Sequence, residues 1–390
     1  MEVPSMGSKV QSLAGHLANL PDPRKTRGLR HNLVDLIVMA VLAVMCGADS
    51  WEDIYRFARD QEEWLRSFLP LPGGVPSADT FNRVFILLDN KAFGECFLAW
   101  VRDVRKKVPR DIIAFDGKAL RASMDAGGHP LHMVSAWSCT NRLVLGQEAV
   151  DAKSNEITAI PELLKVLDLK GCIVTIDSMG CQKEIAKQIT RKRADYILAL
   201  KGNQAGLHKA TKACFEKLDA DPNGMAHHAT ESTETHHGRQ EFRRVTCINA
   251  VSHLAEKPLL DWAKMETLVR VESRTIRAGA PAEQVRYYIS TLPTDQVEAI
   301  AQGVRSHWGI ENQLHWVLDV AFNEDANRTR KGNGPECSAI LRHIVLNLLR
   351  QDPNPAGSIK YRRMKAAMSP EYRMAALLGF PTAASGEAHP

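Results

Sequence analysis

"CIVTIDSMGCQ", residues 172–182, is a short apolar run that stops at an acid. It reads as a buried strand, with Asp177 where the strand ends and Ser178 opening a turn. The same pattern stands upstream in "DIIAFDG", 111–117, where Asp116 ends an apolar strand and Gly117 follows. Between them lie "HMVSAWS", 132–138, and "RLVLGQEAV", 142–150, two short runs separated by "CTN" as in a hairpin. "SNEITAIPELLKVLDL", 154–169, and "CQKEIAKQITRKR", 181–193, read as helices, and "DYILALKG", 195–202, is again a strand.

The order is β-β-β-α-β-α-β. Three antiparallel strands followed by parallel additions with crossover helices predict an α/β fold, a mixed sheet covered by helices. This is the order of an RNase H-like fold, in which the first and fourth strands lie side by side. Asp116 and Asp177 would then meet at one edge. An aspartate beginning a turn is common, and either acid alone could be only that. Two close, unpaired aspartates repel, and one must take up a proton unless a cation intervenes. Oxygen ligands of this kind suit Mg²⁺ or Mn²⁺.

Outward from this core, residues 1–30 read as a loose leader, since the prolines and glycine of "PDPRKTRG" cannot hold a helix. Residues 31–108 carry helical patterns that predict a small all-α domain, for DNA binding or assembly, with Ser50 and Asp53 spaced as a helix cap. The sheet domain is expected over 109–350, with a β-rich, arginine-laden insertion at about 205–290 and a C-terminal tail at 351–390. A helix beginning near Thr294 leads into "HWGIENQLHWVLDVAFNEDANRTRKGNG", 307–334. Its apolar positions, including Trp308, Ile310, Leu314 and Trp316, predict a mostly buried segment that nonetheless carries Glu311. A helix crossing the acid edge could lower Glu311 into the site as a third carboxylate. The plainer alternative is a local salt bridge, for instance to Arg305.

At 390 residues, 44% hydrophobic and 24% charged, the chain has the composition of an ordinary globular protein of two or three domains. The net charge of +5 is too small to prove a nucleic-acid partner, but basic clusters recur at 24–31, 102–110, 190–193, 328–331 and 360–365. Each could equally be a solvated face. The eight cysteines form no C-x-x-C pair, which points to a reduced, cytoplasmic protein without a structural zinc site. The apolar run 33–46 contains Asp35 and is too short to span a bilayer, so no membrane partner is expected.

"AFDGK", "TIDSMGCQ", "YILALKGNQ", "HHGRQEFR" and the stretch from His307 together resemble the DDE transposases of bacterial insertion sequences, in particular the H-repeat-associated group. "PDPRKTRGLRHNL" and "PSADTFNRVF" resemble that group's N-terminal region. The resemblance covers roughly residues 15 to 350 and implies a catalytic, metal-binding triad of Asp116, Asp177 and Glu311. It also implies Mg²⁺-dependent cleavage and strand transfer on double-stranded DNA at the element's ends, by a homodimer that joins two ends. The superfamily pattern Y-x₂-R-x₃-E-x₆-K is only partly kept, since Val304, His307 and Leu318 stand at its flanking places. This puts a hairpin intermediate in doubt, and His307 could replace the arginine as a phosphate contact.

Further DNA contacts are expected from Lys118, Gln182, Lys201, Asn203, His237, Arg239, Arg243, Arg305, Arg328, Arg330 and Lys331. Lys118 is read as pointing away from Asp116, toward a phosphate or solvent. Arg239, Glu241 and Arg243 alternate as one strand face and suit a structural ion ladder as well. His307, Glu311 and His315, at i, i+4 spacing, could form a three-ligand metal site or merely hydrogen-bond beside an acid. Trp137, Trp308 and Trp316 are read as core residues. Two other functions compete: a metal-dependent nuclease without strand transfer, and a DNA-binding relic or repressor without catalysis.

Overall fold

The computed structural model describes residues 13–25, 29–124, 128–150, 155–236, 239–254, 261–277, 280–354 and 356–380. Its strands are β1 (Ile112–Met124), β2 (Pro130–Ser138), β3 (Leu143–Val150), β4 (Ile173–Ile176), β5 (Asp195–Leu200), β6 (His227–His236), β7 (Arg239–Asn249), β8 (Thr267–Arg277) and β9 (Ala280–Ser290). They form one mixed sheet in the order β3-β2-β1-β4-β5-β9-β8-β7-β6. β1 runs antiparallel to β2 and parallel to β4, and β4 runs parallel to β5. The fold is therefore mixed α/β, with a large mixed sheet and a helical N-terminal region.

The insertion is a continuation of the sheet. β9 pairs antiparallel with β5, placing Ile197 opposite Ser290, and β8, β7 and β6 follow as long antiparallel ribbons. The β-rich reading missed the helix Ala205–Ala220 that precedes them. Its buried Leu207, Thr211, Cys214, Phe215 and Leu218 keep helical spacing, so the signal was present.

The N-terminal helices are Leu33–Met45, Trp51–Asp60, Glu62–Arg66, Ala78–Leu87 and Asn90–Val104, and the second begins at the predicted cap. Ser50 accepts from Asp53 N while Asp53 accepts from Ser50 N at 3.1 Å, a reciprocal capping box. These helices share one apolar core with the sheet, and the helix Gly334–Arg350 joins the two. In it, Asn347 bonds both backbone groups of Val144 on β3, at 2.8 and 2.9 Å. Part of the expected leader is ordered too: Leu13 and Leu17, on the short helix Leu13–Leu17, are buried.

The region beyond 350 is not only a tail. Ser358 and Ser369 cap the helices Ile359–Met368 and Pro370–Leu377. The basic cluster at 360–365 turns partly inward, with Arg362 donating to Leu349 O at 2.6 Å and Arg363 to Val44 O at 2.7 Å. Those two arginines satisfy helix C-terminal carbonyls and are not surface for a polyanion. Among the described residues, no helix is long and apolar enough to cross a membrane.

Candidate active site

The register of β1 against β4 sets the first two acids. Phe115 pairs with Ile176, so the next residues, Asp116 and Asp177, are neighbours where β4 ends. Asp177 turns the chain there, accepting from Met179 N at 2.9 Å. The third acid arrives on the helix Val297–Gly309, which crosses β4 and β5 at close range because position 303 is glycine. A Cβ there would collide with Ile197. The helix then widens into a π-helical turn, Ile310–His315, in which Trp316 N–H donates to Glu311 O. Such turns are rare and recur at functional sites.

Asp116, Asp177 and Glu311 line one cleft, together with Lys201, Arg286, His307 and Trp308. One ligand atom each from Asp116, Glu311 and His315 lies within 4.8 Å of the other two. His315 is buried, and its Nδ1 stands 3.3 Å from Glu311 Oε2 and 3.5 Å from Asp116 Oδ2. Glu311 itself is not buried, since its side chain is 57% exposed at the rim. The apparent conflict of an acid in a buried helix disappears with the helical phase. Ile310, Leu314 and Leu318 form the buried stripe, whereas Trp308 and Trp316 lie off it and are 43% and 59% exposed. Trp137 alone of the three tryptophans read as core is fully buried.

A fourth carboxylate escaped the sequence reading. Glu156, first residue of the helix Glu156–Val166, lies against Gly117, where any Cβ would strike its carboxyl group. Only its place beside a capping Asn155 was visible in the sequence, and that looks like an ordinary acidic first turn. Burial pushes Glu156 up to about 7, and the charges of Asp116 and Asp177 add to the shift. Burial likewise lifts Asp116 to about 6, opposed by His315 and reinforced by Asp177 and Glu311. The bond from His315 holds Glu311 below its ordinary value. The site thus concentrates carboxylates beyond what their own ionisation tolerates, and an oxygen-rich set with one imidazole nitrogen fits a divalent cation.

The other expected contacts divide. Lys118 does not point away from Asp116, since residues two apart share a strand face. Its Nζ lies 2.8 Å from Glu324 Oε2 and also bonds Asp319, so its charge is engaged inside the protein. Arg305 pairs with Glu234 of β6 at 2.7 Å and does not contact Glu311. Arg243 bonds Glu241 within its own strand, the structural ladder of the two readings. His307 Nδ1 sits 3.0 Å from Thr175 Oγ1, and burial lowers its pKa to about 4. It is neutral at ordinary pH and offers no cationic phosphate contact.

Gln182 precedes the helix Lys183–Arg191 without capping it and donates to Met179 O at 3.2 Å, while Asn203 donates to Ser178 O at 2.5 Å. Both brace the turn after Asp177. Arg330 donates to Ala122 O at 3.0 Å, and Arg328 and Lys331 are exposed nearby. His237 lies outside the described residues; Arg239 opens β7. Lys201 faces the acid cleft, as does Arg286, which the sequence reading passed over. Arg286 stacks 5.0 Å over the Trp308 ring.

Comparison with known proteins assigns a class to this arrangement. The family model for the transposase DDE domain matches residues 107–348, and the model described as "DDE_Tnp_1-associated" matches residues 14–101. The chain belongs to the transposase DDE domain family. It is 40% identical over 371 residues to "Putative transposase YncI" of Escherichia coli O157:H7, covering 93% of each chain. It is 38% identical over 377 residues to "H repeat-associated putative transposase YhhI" of Escherichia coli strain K12, covering 95% of this chain and 99% of that one. The H-repeat-associated group named from the motifs is therefore the right one. Among solved structures, a piggyBac transposase synaptic complex with hairpin DNA aligns over 97% of this chain and 83% of that chain, at 13% identity and a TM-score of 0.41, too distant to assign a fold.

Proposed function

We propose that the protein is a DNA transposase that binds the terminal inverted repeats of its element, cuts the DNA there and joins the freed 3′-hydroxyl to a target. The observation that carries this reading is the meeting of Asp116 and Asp177 on adjacent parallel strands, with Glu311 in the same cleft. The strand order β3-β2-β1-β4-β5 around them supports an RNase H-like core. Asp116, Asp177 and Glu311 would hold Mg²⁺ or Mn²⁺. Such cations activate a water or hydroxyl and stabilise the leaving oxygen of an in-line phosphoryl displacement.

The chain's own residues do the rest. Lys201 and Arg286, on the cleft wall, attract and orient phosphates beside the acids. Burial raises the pKa of Glu156 and Asp116, and a bound cation would lower both and favour their ionised forms. The homodimer expected for joining two ends belongs to the same proposal.

The test is incubation of the protein with labelled DNA carrying its element's end, in Mg²⁺ or in EDTA, beside Glu311→Gln. Metal-dependent cutting lost in the variant supports the triad, and joined products select transposase over nuclease. Binding without cutting under every condition would make the protein a DNA-binding repressor instead.

A further inference from the structure

The three-carboxylate reading assigns His315 no role, yet the geometry gives it one. Its ring is 4% exposed, and its Nδ1 stands between two acids at 3.3 and 3.5 Å. Those distances are long for charge-assisted hydrogen bonds, which run about 2.7–2.9 Å. They are close to the spacing of ligands around one cation: donors about 2.1 Å from an ion and at right angles lie roughly 3 Å apart. Asp177 is not in this tight group, whereas His315 is. The other ring nitrogen, Nε2, is buried with no hydrogen-bond partner. Ligation through Nδ1 would leave the ring proton on Nε2.

We propose that His315 Nδ1 is a direct ligand, with Asp116 and Glu311, of one divalent cation in this site. The inference rests on the transposase reading of the cleft and deepens it. The i, i+4 spacing sets Glu311 and His315 side by side, and the π turn carries both of them. A nitrogen in the ligand set biases the site toward Mn²⁺ over Mg²⁺, since imidazole suits later transition metals and Mg²⁺ prefers oxygen. His307, which lines the cleft, is held by Thr175 and is not part of the group.

The experiment uses the full chain without DNA and Mn²⁺ as the probe. Mn²⁺ affinity is measured by the loss of the free-ion electron paramagnetic resonance signal, and pulsed measurements on the bound ion detect nitrogen coupling. We expect a nitrogen coupling in the wild type that is retained in His307→Asn and lost in His315→Asn. We also expect Mn²⁺ affinity to fall at least about tenfold in His315→Asn, by analogy with the loss of a metal-supporting partner. The preference for Mn²⁺ over Mg²⁺ should shrink in the same variant.

Tight Mn²⁺ binding abolished by Asp116→Asn, but with no nitrogen coupling in the wild type, would overturn the role of His315 and leave the acid site standing. Binding indifferent to Asp116→Asn and Glu311→Gln would overturn the acid site itself, and His315 with it. The wild-type coupling needs no variant, so poor folding of His315→Asn would not spare the proposal.

Discussion

Lys118 and Glu324 form an ion pair at 2.8 Å, with the lysine side chain 12% and the glutamate side chain 2% exposed. Arg342 approaches the same carboxylate at 3.6 Å. Burial alone would raise the pKa of Glu324, but the charges of Lys118 and Arg342 outweigh it and leave it lowered. The pair fixes the turn Glu324–Ala326, which follows the helix Trp316–Phe322, to β1, two residues from Asp116. Lys118→Ala leaves the buried carboxylate to Arg342 alone, and stability should fall by about 3 kcal/mol. Urea unfolding would read this. A variant of unchanged stability but weakened DNA binding would return Lys118 to the phosphate contacts.

The raised acids make a signed pH prediction. Asp116 at about 6 and Glu156 at about 7 both lie above their unfolded values. The native state therefore holds more protons than the unfolded chain across this interval. The stabilisation is complete below the unfolded values, near pH 4, and is lost as pH rises through the folded ones. In EDTA, melting temperature attributable to these groups should decline from about pH 4 to 7, and Glu156→Gln should flatten the decline. A divalent cation should restore stability most at the upper end. An identical profile in Glu156→Gln would remove that residue from the site's charge balance.

Gly117→Ala tests the same contact from the other side. The methyl group would force the Glu156 carboxyl away from its place. Because Glu156 is a flexible side chain, the expected stability loss is modest, within about 1–3 kcal/mol for overpacking. The double variant Gly117→Ala, Glu156→Ala should regain most of it. No recovery would mean that the glycine is needed by the backbone of β1 and not by its neighbour.

Lys201 and Arg286 flank the acids on the cleft wall. If each contacts one phosphate, Lys201→Ala and Arg286→Ala should weaken DNA binding across sequences and shallow the log–log salt slope by about 0.9 each. Arg305→Ala should leave the slope nearly unchanged, because Glu234 already engages that guanidinium. The slope, measured by fluorescence anisotropy, separates the two outcomes. His307, neutral down to about pH 4, should likewise show no imidazole titration by NMR between about pH 8 and 5.

What was legible in the sequence is what strand periodicity and strand ends encode. The apolar run before Asp177 gave β4, and the crossover order brought Asp116 beside Asp177. The strand expected to end at Asp116 runs on to Met124, because its pairing with β2 continues past the acid. What escaped depends on side chains meeting across the chain. Nothing near Lys118 announces that Asp319 and Glu324 will close over it. Nothing before Glu156 says that a glycine on a distant strand leaves room for its carboxylate. The exposure of Trp308 and Trp316 was readable in principle, since they fall out of phase with Ile310, Leu314 and Leu318. Hydrophobicity outweighed phase in that reading, and the phase was right. The π turn has no local signature, because it differs from an α-helix by one residue's slip.

The junction of β5 with β9 has a consequence during synthesis. Ile197 waits for Ser290 to leave the ribosome before its outer edge is paired. At ordinary elongation rates the intervening chain takes roughly 5–20 s to appear. Through that interval the apolar strand Asp195–Leu200 presents unpaired backbone groups to whatever else is nearby, including a second nascent copy. The four ribbons that widen the sheet therefore also act as its closing seam. Truncation anywhere between them should yield a sticky, aggregating fragment, however complete the acid-bearing half looks.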